Sequence, residues 1–64
     1  MSADNVIYCK QVGNEWYVWH DFMSNEKRKP SKNARRFSNY ASAMDYALGY
    51  QDGCGFVDGG IQVI

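Results

Sequence analysis

The chain has 64 residues, with seven Lys or Arg against seven Asp or Glu and a formal net charge of zero. A chain this short buries only about 60% of the surface its unfolded form exposes, which excludes an enclosed catalytic pocket with a separate supporting core. Small scaffolds compensate with disulfides, metal, oligomerisation or dense aromatic packing, and two Trp, five Tyr and three Phe point to the last two of these.

Residues 5–12, Asn-Val-Ile-Tyr-Cys-Lys-Gln-Val, are rich in β-branched and aromatic types and read as a strand. Gly13-Asn14 supplies turn chemistry, because both residue types tolerate positive φ. Residues 15–22, Glu-Trp-Tyr-Val-Trp-His-Asp-Phe, make a second strand, and so short a turn predicts an antiparallel hairpin. Strand alternation puts Trp16, Val18, His20 and Phe22 on one face, expected to be the core, and Tyr17, Trp19 and Asp21 on the other, whose aromatics can also be covered. In that row His20 reads as an inward-facing, hydrogen-bonded residue.

From Met23 to Arg36 the apolar signal nearly vanishes. Six of the seven cations, Lys27, Arg28, Lys29, Lys32, Arg35 and Arg36, lie within these positions, whereas the acids are scattered. Pro30 disfavours helix at Lys29 and lacks a ladder donor. A basic loop over about 23–36 is the expectation.

A helix follows, with Ser38 or Asn39 able to cap it by accepting a backbone N–H bond. Tyr40, Ala43, Met44, Ala47 and Leu48 recur at helical spacing as the expected core stripe. Tyr46 and Tyr50, four apart, form a second aromatic ridge. Asp52-Gly53 and Gly55 end the helix. Residues 60–64 close the chain as a short strand, with Phe56-Val57 an alternative beginning before a kink at Gly59-Gly60. The pattern predicts a single α+β domain over residues 1–64: β-β-α-β, one helix packed on a small three-stranded antiparallel sheet in the order 2-1-3. The sheet's second face, carrying Trp and Tyr, is then open and invites a homodimer or another partner.

The chain carries no P-loop, H-E-x-x-H, C-x-x-C or G-x-S-x-G motif. Cys9, Cys54 and His20 show no ligand spacing, so no metal or other cofactor is expected. Two reduced thiols, Cys9 and Cys54, fit a protein without a disulfide framework. The first residues lack the basic patch and apolar run of a signal peptide, and no apolar run approaches the roughly 18–20 residues that span a bilayer, so no membrane partner is expected.

Without catalytic motifs, binding is the function to expect. The cations of residues 27–36 can neutralise several phosphates, with Phe37, Tyr40, Trp19 and Phe22 nearby as stacking surfaces. The same segment can also remain solvated, partly compensated by Glu26 and Asp21. Overall neutrality is unlike a dedicated DNA-binding domain. Trp19, Tyr46 and Tyr50 could instead anchor a protein interface, where aromatic and arginine side chains dominate binding energy. The expected partner-binding set is therefore Lys27, Arg28, Lys29, Lys32, Arg35, Arg36, Trp19, Tyr46 and Tyr50.

The opening Met1-Ser2-Ala3-Asp4-Asn5-Val6-Ile7-Tyr8 resembles a group of small bacteriophage and prophage proteins beginning M-S-A-D-N-G-I-Y. Trp16-x-Val18-x-His20 is similar to that group's second strand. Phe37-Ser38 with Ala43-Met44-Asp45-Tyr46-Ala47 is similar to its cap and helix, and Gly60-Ile61-x-x-Ile64 to its closing strand. The chain has Val6 where the group usually has glycine, and a shorter, more basic loop. The resemblance implies a phage origin and the same α+β fold, and no activity. Together with small size and absent catalytic motifs, it leads to the expectation of a non-enzymatic phage accessory protein in the host cytoplasm, binding a host protein or complex and inhibiting an enzyme or defence assembly. The alternative is a nucleic-acid-binding protein that uses residues 27–36.

Overall fold

A computed structural model describes residues 5–22, 29–54 and 59–64. Along the chain run β1 (Asn5–Val12), β2 (Glu15–Phe22), β3 (Arg35–Phe37), α1 (Tyr40–Cys54) and β4 (Ile61–Val63). The first two strands form the expected hairpin. Val12 pairs with Glu15 and Asn5 with Phe22, so Gly13-Asn14 is a two-residue turn. Gly13 sits at φ 65°, a conformation its missing side chain makes inexpensive.

The α+β class holds, with one helix packed on a small sheet and the last strand beside the first. Two details are corrected. The sheet has four strands in the order β3-β2-β1-β4, because Arg35–Phe37, expected as the end of a loop, pairs antiparallel with Trp16–Val18. The last strand also runs parallel to β1, with Ile7 opposite Ile61 and Cys9 opposite Val63. The helix sets that direction. It begins near the hairpin end, where Tyr40 meets Trp16, and finishes near the opposite end, where Tyr50 meets His20. The chain therefore enters β4 from the end at which β1 starts. β3, α1 and β4 form a crossover over the two central strands, and such crossovers join parallel strands. The ladder extends past β4: Gly59 N–H donates to Asn5 O, Ile7 N–H to Gly60 O and Ile64 N–H to Cys9 O. The alternative strand beginning at Phe56-Val57 lies outside the described residues.

Asn39 is the helix cap. Its Oδ1 accepts the Ser42 N–H at 2.7 Å, satisfying one orphan donor of the first turn. The buried stripe is rotated from the expected one. Ala43 and Ala47 are fully buried, and Tyr46, Tyr50 and Met44 pack against the same core. Leu48 and Tyr40, expected in the core, are 54% and 46% exposed. Positions 43, 46, 47 and 50 follow the i, i+3, i+4, i+7 rule. The two alanines bring the helix close to the sheet, and the tyrosines fill the space beside them. The helix runs through Gly53 and its last residue is Cys54, immediately before Gly55, within the expected Asp52–Gly55 terminus.

Between helix and sheet lies a core of Ile7, Cys9, Val18, Ala43 and Ala47. On the sheet's other side, here the far face, the aromatics are covered, the alternative to the open surface. Val6, Tyr8 and Trp19 are buried there, with Tyr17, Ala34 and Ile64 packed against them. Tyr8 and Trp19 rings lie 5.6 Å apart. The connection into β3 and the chain's last residue bring apolar side chains onto this face. Tyr8 and Trp19 are therefore not exposed aromatics that a second copy could cover.

Candidate functional site

Where the second half of α1 passes the end of β2, a cleft of about 400 Å³ opens on the helix face. It is lined by Ile7, Val18, Trp19, His20, Asn33, Tyr46 and Tyr50, and its size falls toward the lower end of the roughly 300–1,000 Å³ typical of ligand pockets. Each element places its residue for a local reason. Alternation along β1 and β2 directs Ile7, Val18 and His20 to the helix side. Helical spacing aligns Tyr46 and Tyr50 on adjoining turns. Asn33 comes from the turn before β3, where Ala34 N–H donates to Ser31 O at 3.1 Å.

The rings form a connected row. Phe37 and Tyr46 centroids are 5.3 Å apart, Tyr46 and Tyr50 6.0 Å, and Tyr50 and His20 5.6 Å in an edge-on arrangement. His20 Nδ1 and the Tyr50 hydroxyl lie 3.2 Å apart. The Arg35 guanidinium sits over the Tyr46 ring, 5.7 Å from its centroid, a cation–π contact. A second hollow of about 170 Å³, lined by Asn5, His20, Asp21 and Phe22, adjoins the first through His20.

The expected binding residues divide sharply. Lys27 and Arg28 lie outside the described residues. Lys29 and Lys32 are exposed on the segment leading to β3. Arg35 and Arg36 are neighbours on β3 and therefore project to opposite sides of the sheet. Arg35 reaches Tyr46 on the helix face, while Arg36 Nε lies 3.5 Å from Glu15 Oε2. The two arginines of β3 are thus divided between two surfaces. Trp19, expected as an interface anchor, is 3% exposed, and its indole N–H donates to Asp21 Oδ2 at 3.1 Å, so it belongs to the far-face core. Tyr46 and Tyr50 are half-buried and line the cleft.

His20 corrects the expectation of an inward-facing core histidine. It is exposed because it sits near the end of β2, where the second half of the helix reaches it through Tyr50. Asn33 was absent from the expected set. A lone asparagine in a polar segment carries no pattern, and only the pairing of β3 places it beside the tyrosines.

Among the described residues no group of three or more His, Cys, Asp or Glu is placed to hold a metal ion. Cys9 is buried, and burial pushes its thiol pKa up, which keeps it protonated and unreactive. His20 faces the Tyr50 phenol. Asn33 and Arg35 have no hydrogen-bonding or carboxylate partner among the described residues. No family model, curated protein or solved structure matches this chain.

Proposed function

We propose that this is a non-enzymatic phage accessory protein that binds a host protein and thereby inhibits an enzyme or defence complex of the host. The phage setting rests on the resemblance of its opening, hairpin and helix residues to small phage proteins. The binding role rests on one observation: exposed Lys29 and Lys32 precede Arg35, which has no carboxylate partner among the described residues, beside a cleft walled by Tyr46 and Tyr50. Aromatic and arginine side chains around a depression are the composition that dominates interface energetics, and the cations select an acidic partner surface. The test is capture from host lysate by the folded protein and by a Lys32→Glu, Arg35→Glu variant. A saturable partner retained by the first and lost by the second is expected. Blank captures across several hosts, or equal retention by both, overturn the reading.

The second reading is nucleic-acid binding through the same cations, favoured by aromatic rings placed where bases could stack. It requires oligonucleotide affinity that falls steeply with salt.

A further inference from the structure

We infer that the cleft is a binding site for a nucleoside monophosphate, either free or as one residue of a single strand. This does not depend on the protein-partner reading. Ala34 packs against the far-face cluster of Val6, Tyr8 and Trp19. Its neighbours Asn33 and Arg35 fall on the opposite side, one lining the cleft and the other resting on Tyr46. Two residues apart, they bring an amide and a guanidinium to the same row of aromatic rings.

Each part of the site fits one part of the ligand. Half-buried Tyr46 and Tyr50 give an aromatic wall, where a flat ring loses water and gains dispersion. The Asn33 side chain offers both donors and an acceptor, the combination that reads the edge of a heterocycle. Arg35 presents a planar fork of donors matched to phosphate oxygens, and among the described residues no carboxylate occupies it. A volume of about 400 Å³ suits one base with its sugar rather than a dinucleotide. A purely apolar ring would leave the amide and the guanidinium unused. A bare phosphate would leave the tyrosine wall unused. Only a ring that carries both a polar edge and an anion engages all three.

The test follows the amide resonances of the whole ¹⁵N-labelled chain during titration at low salt. The probes are AMP, UMP, adenosine, inorganic phosphate and a ten-residue oligodeoxyadenylate. At least one of the two mononucleotides is expected to shift Asn33, Arg35, Tyr46 and Tyr50, with a dissociation constant between roughly ten micromolar and the low millimolar range. It should bind about tenfold or more tighter than adenosine or phosphate. Arg35→Gln should weaken mononucleotide binding about tenfold and leave adenosine unchanged, while Asn33→Ala, on an exposed turn, should weaken both. If the oligonucleotide moves the same resonances at lower concentration, the source is a strand; if only mononucleotides move them, it is a free nucleotide. Either result supports the site. Equal binding of phosphate and mononucleotide overturns it, as does an absence of cleft shifts up to about 10 mM. Oligonucleotide shifts confined to Lys29 and Lys32 overturn it as well, because they place binding on the solvated segment.

Discussion

On the far face of the sheet, the Trp19 indole donates to Asp21, the Tyr17 hydroxyl donates to Glu15 at 3.4 Å, and Glu15 also meets Arg36. On the helix face, Arg35 lies on Tyr46 without a carboxylate, and Asn33 lines the cleft without a protein partner among the described residues. The two faces draw on similar residue types from the same three strands. They differ in where their acids stand: Glu15 and Asp21 both fall on odd positions of β2, and alternation sends both to the far face. That single parity satisfies polar groups on one side and leaves cationic and amide groups available on the other. A charge count along the sequence cannot distinguish these outcomes, because Arg35 and Arg36 are adjacent in it.

The largest expected effect tests whether the far face is core. Trp19→Ala should cost about 3–5 kcal/mol, the range for emptying a large aromatic site. Domains have only about 5–15 kcal/mol to lose, and one of this size stands near the bottom of that range. Urea unfolding of the variant at 25 °C should therefore start from a marginal protein with about 0–2 kcal/mol left, half unfolded at the lower limit. A loss near 1 kcal/mol would mean that this face is a covered surface rather than a second core, and the contrast between faces would fail.

The helix-side core should break in the opposite way. It is built around Ala43 and Ala47, which let the helix approach the sheet, so it is sensitive to overfilling. Ala47→Leu should cost about 1–3 kcal/mol by lifting the helix from Val18 and Cys9. Leu48→Ala, on an exposed position, should stay within about 0.5 kcal/mol. Denaturant midpoints for the two variants measure the difference. If Leu48→Ala proves the costlier change, the buried stripe is the one that apolar periodicity predicts.

That stripe marks where sequence reasoning stops. The hairpin was legible because Gly13-Asn14 divides two runs of β-branched and aromatic residues, and the cap because Asn39 precedes a helical period. Leu48 misled because apolar character favours burial without deciding it. Tyr46 and Tyr50 present more area, and their hydroxyls can remain at the rim. β3 was illegible for a different reason. Arg35–Phe37 has little strand character of its own, and it forms through pairing with Trp16–Val18, a long-range contact that no local window contains. The direction of β4 followed from the course of the helix over the sheet. The cleft inherits both dependences, since Asn33 and Arg35 reach it through β3 and the tyrosines through the rotated helix.

The smallest expected effect probes the division between faces most directly. Arg36 and Glu15 form an exposed pair, with side chains 65% and 43% accessible, and exposed pairs contribute about 0–1 kcal/mol. Arg35 on Tyr46 should contribute about 0.5–1 kcal/mol. Single substitutions to glutamine will therefore look alike in a melt. A double-mutant cycle separates them, because it reports coupling rather than loss. Glu15→Gln combined with Arg36→Gln should show a coupling of about 0.2–1 kcal/mol that fades in about 1 M salt, where the screening length falls to roughly 3 Å. Glu15→Gln combined with Arg35→Gln should show none, since the sheet separates the two side chains. Equal coupling of both arginines to Glu15 would mean that Arg35 has a carboxylate within reach after all. The cation would then be committed to the fold, and the cleft would lose the group that distinguishes a nucleotide from a nucleoside.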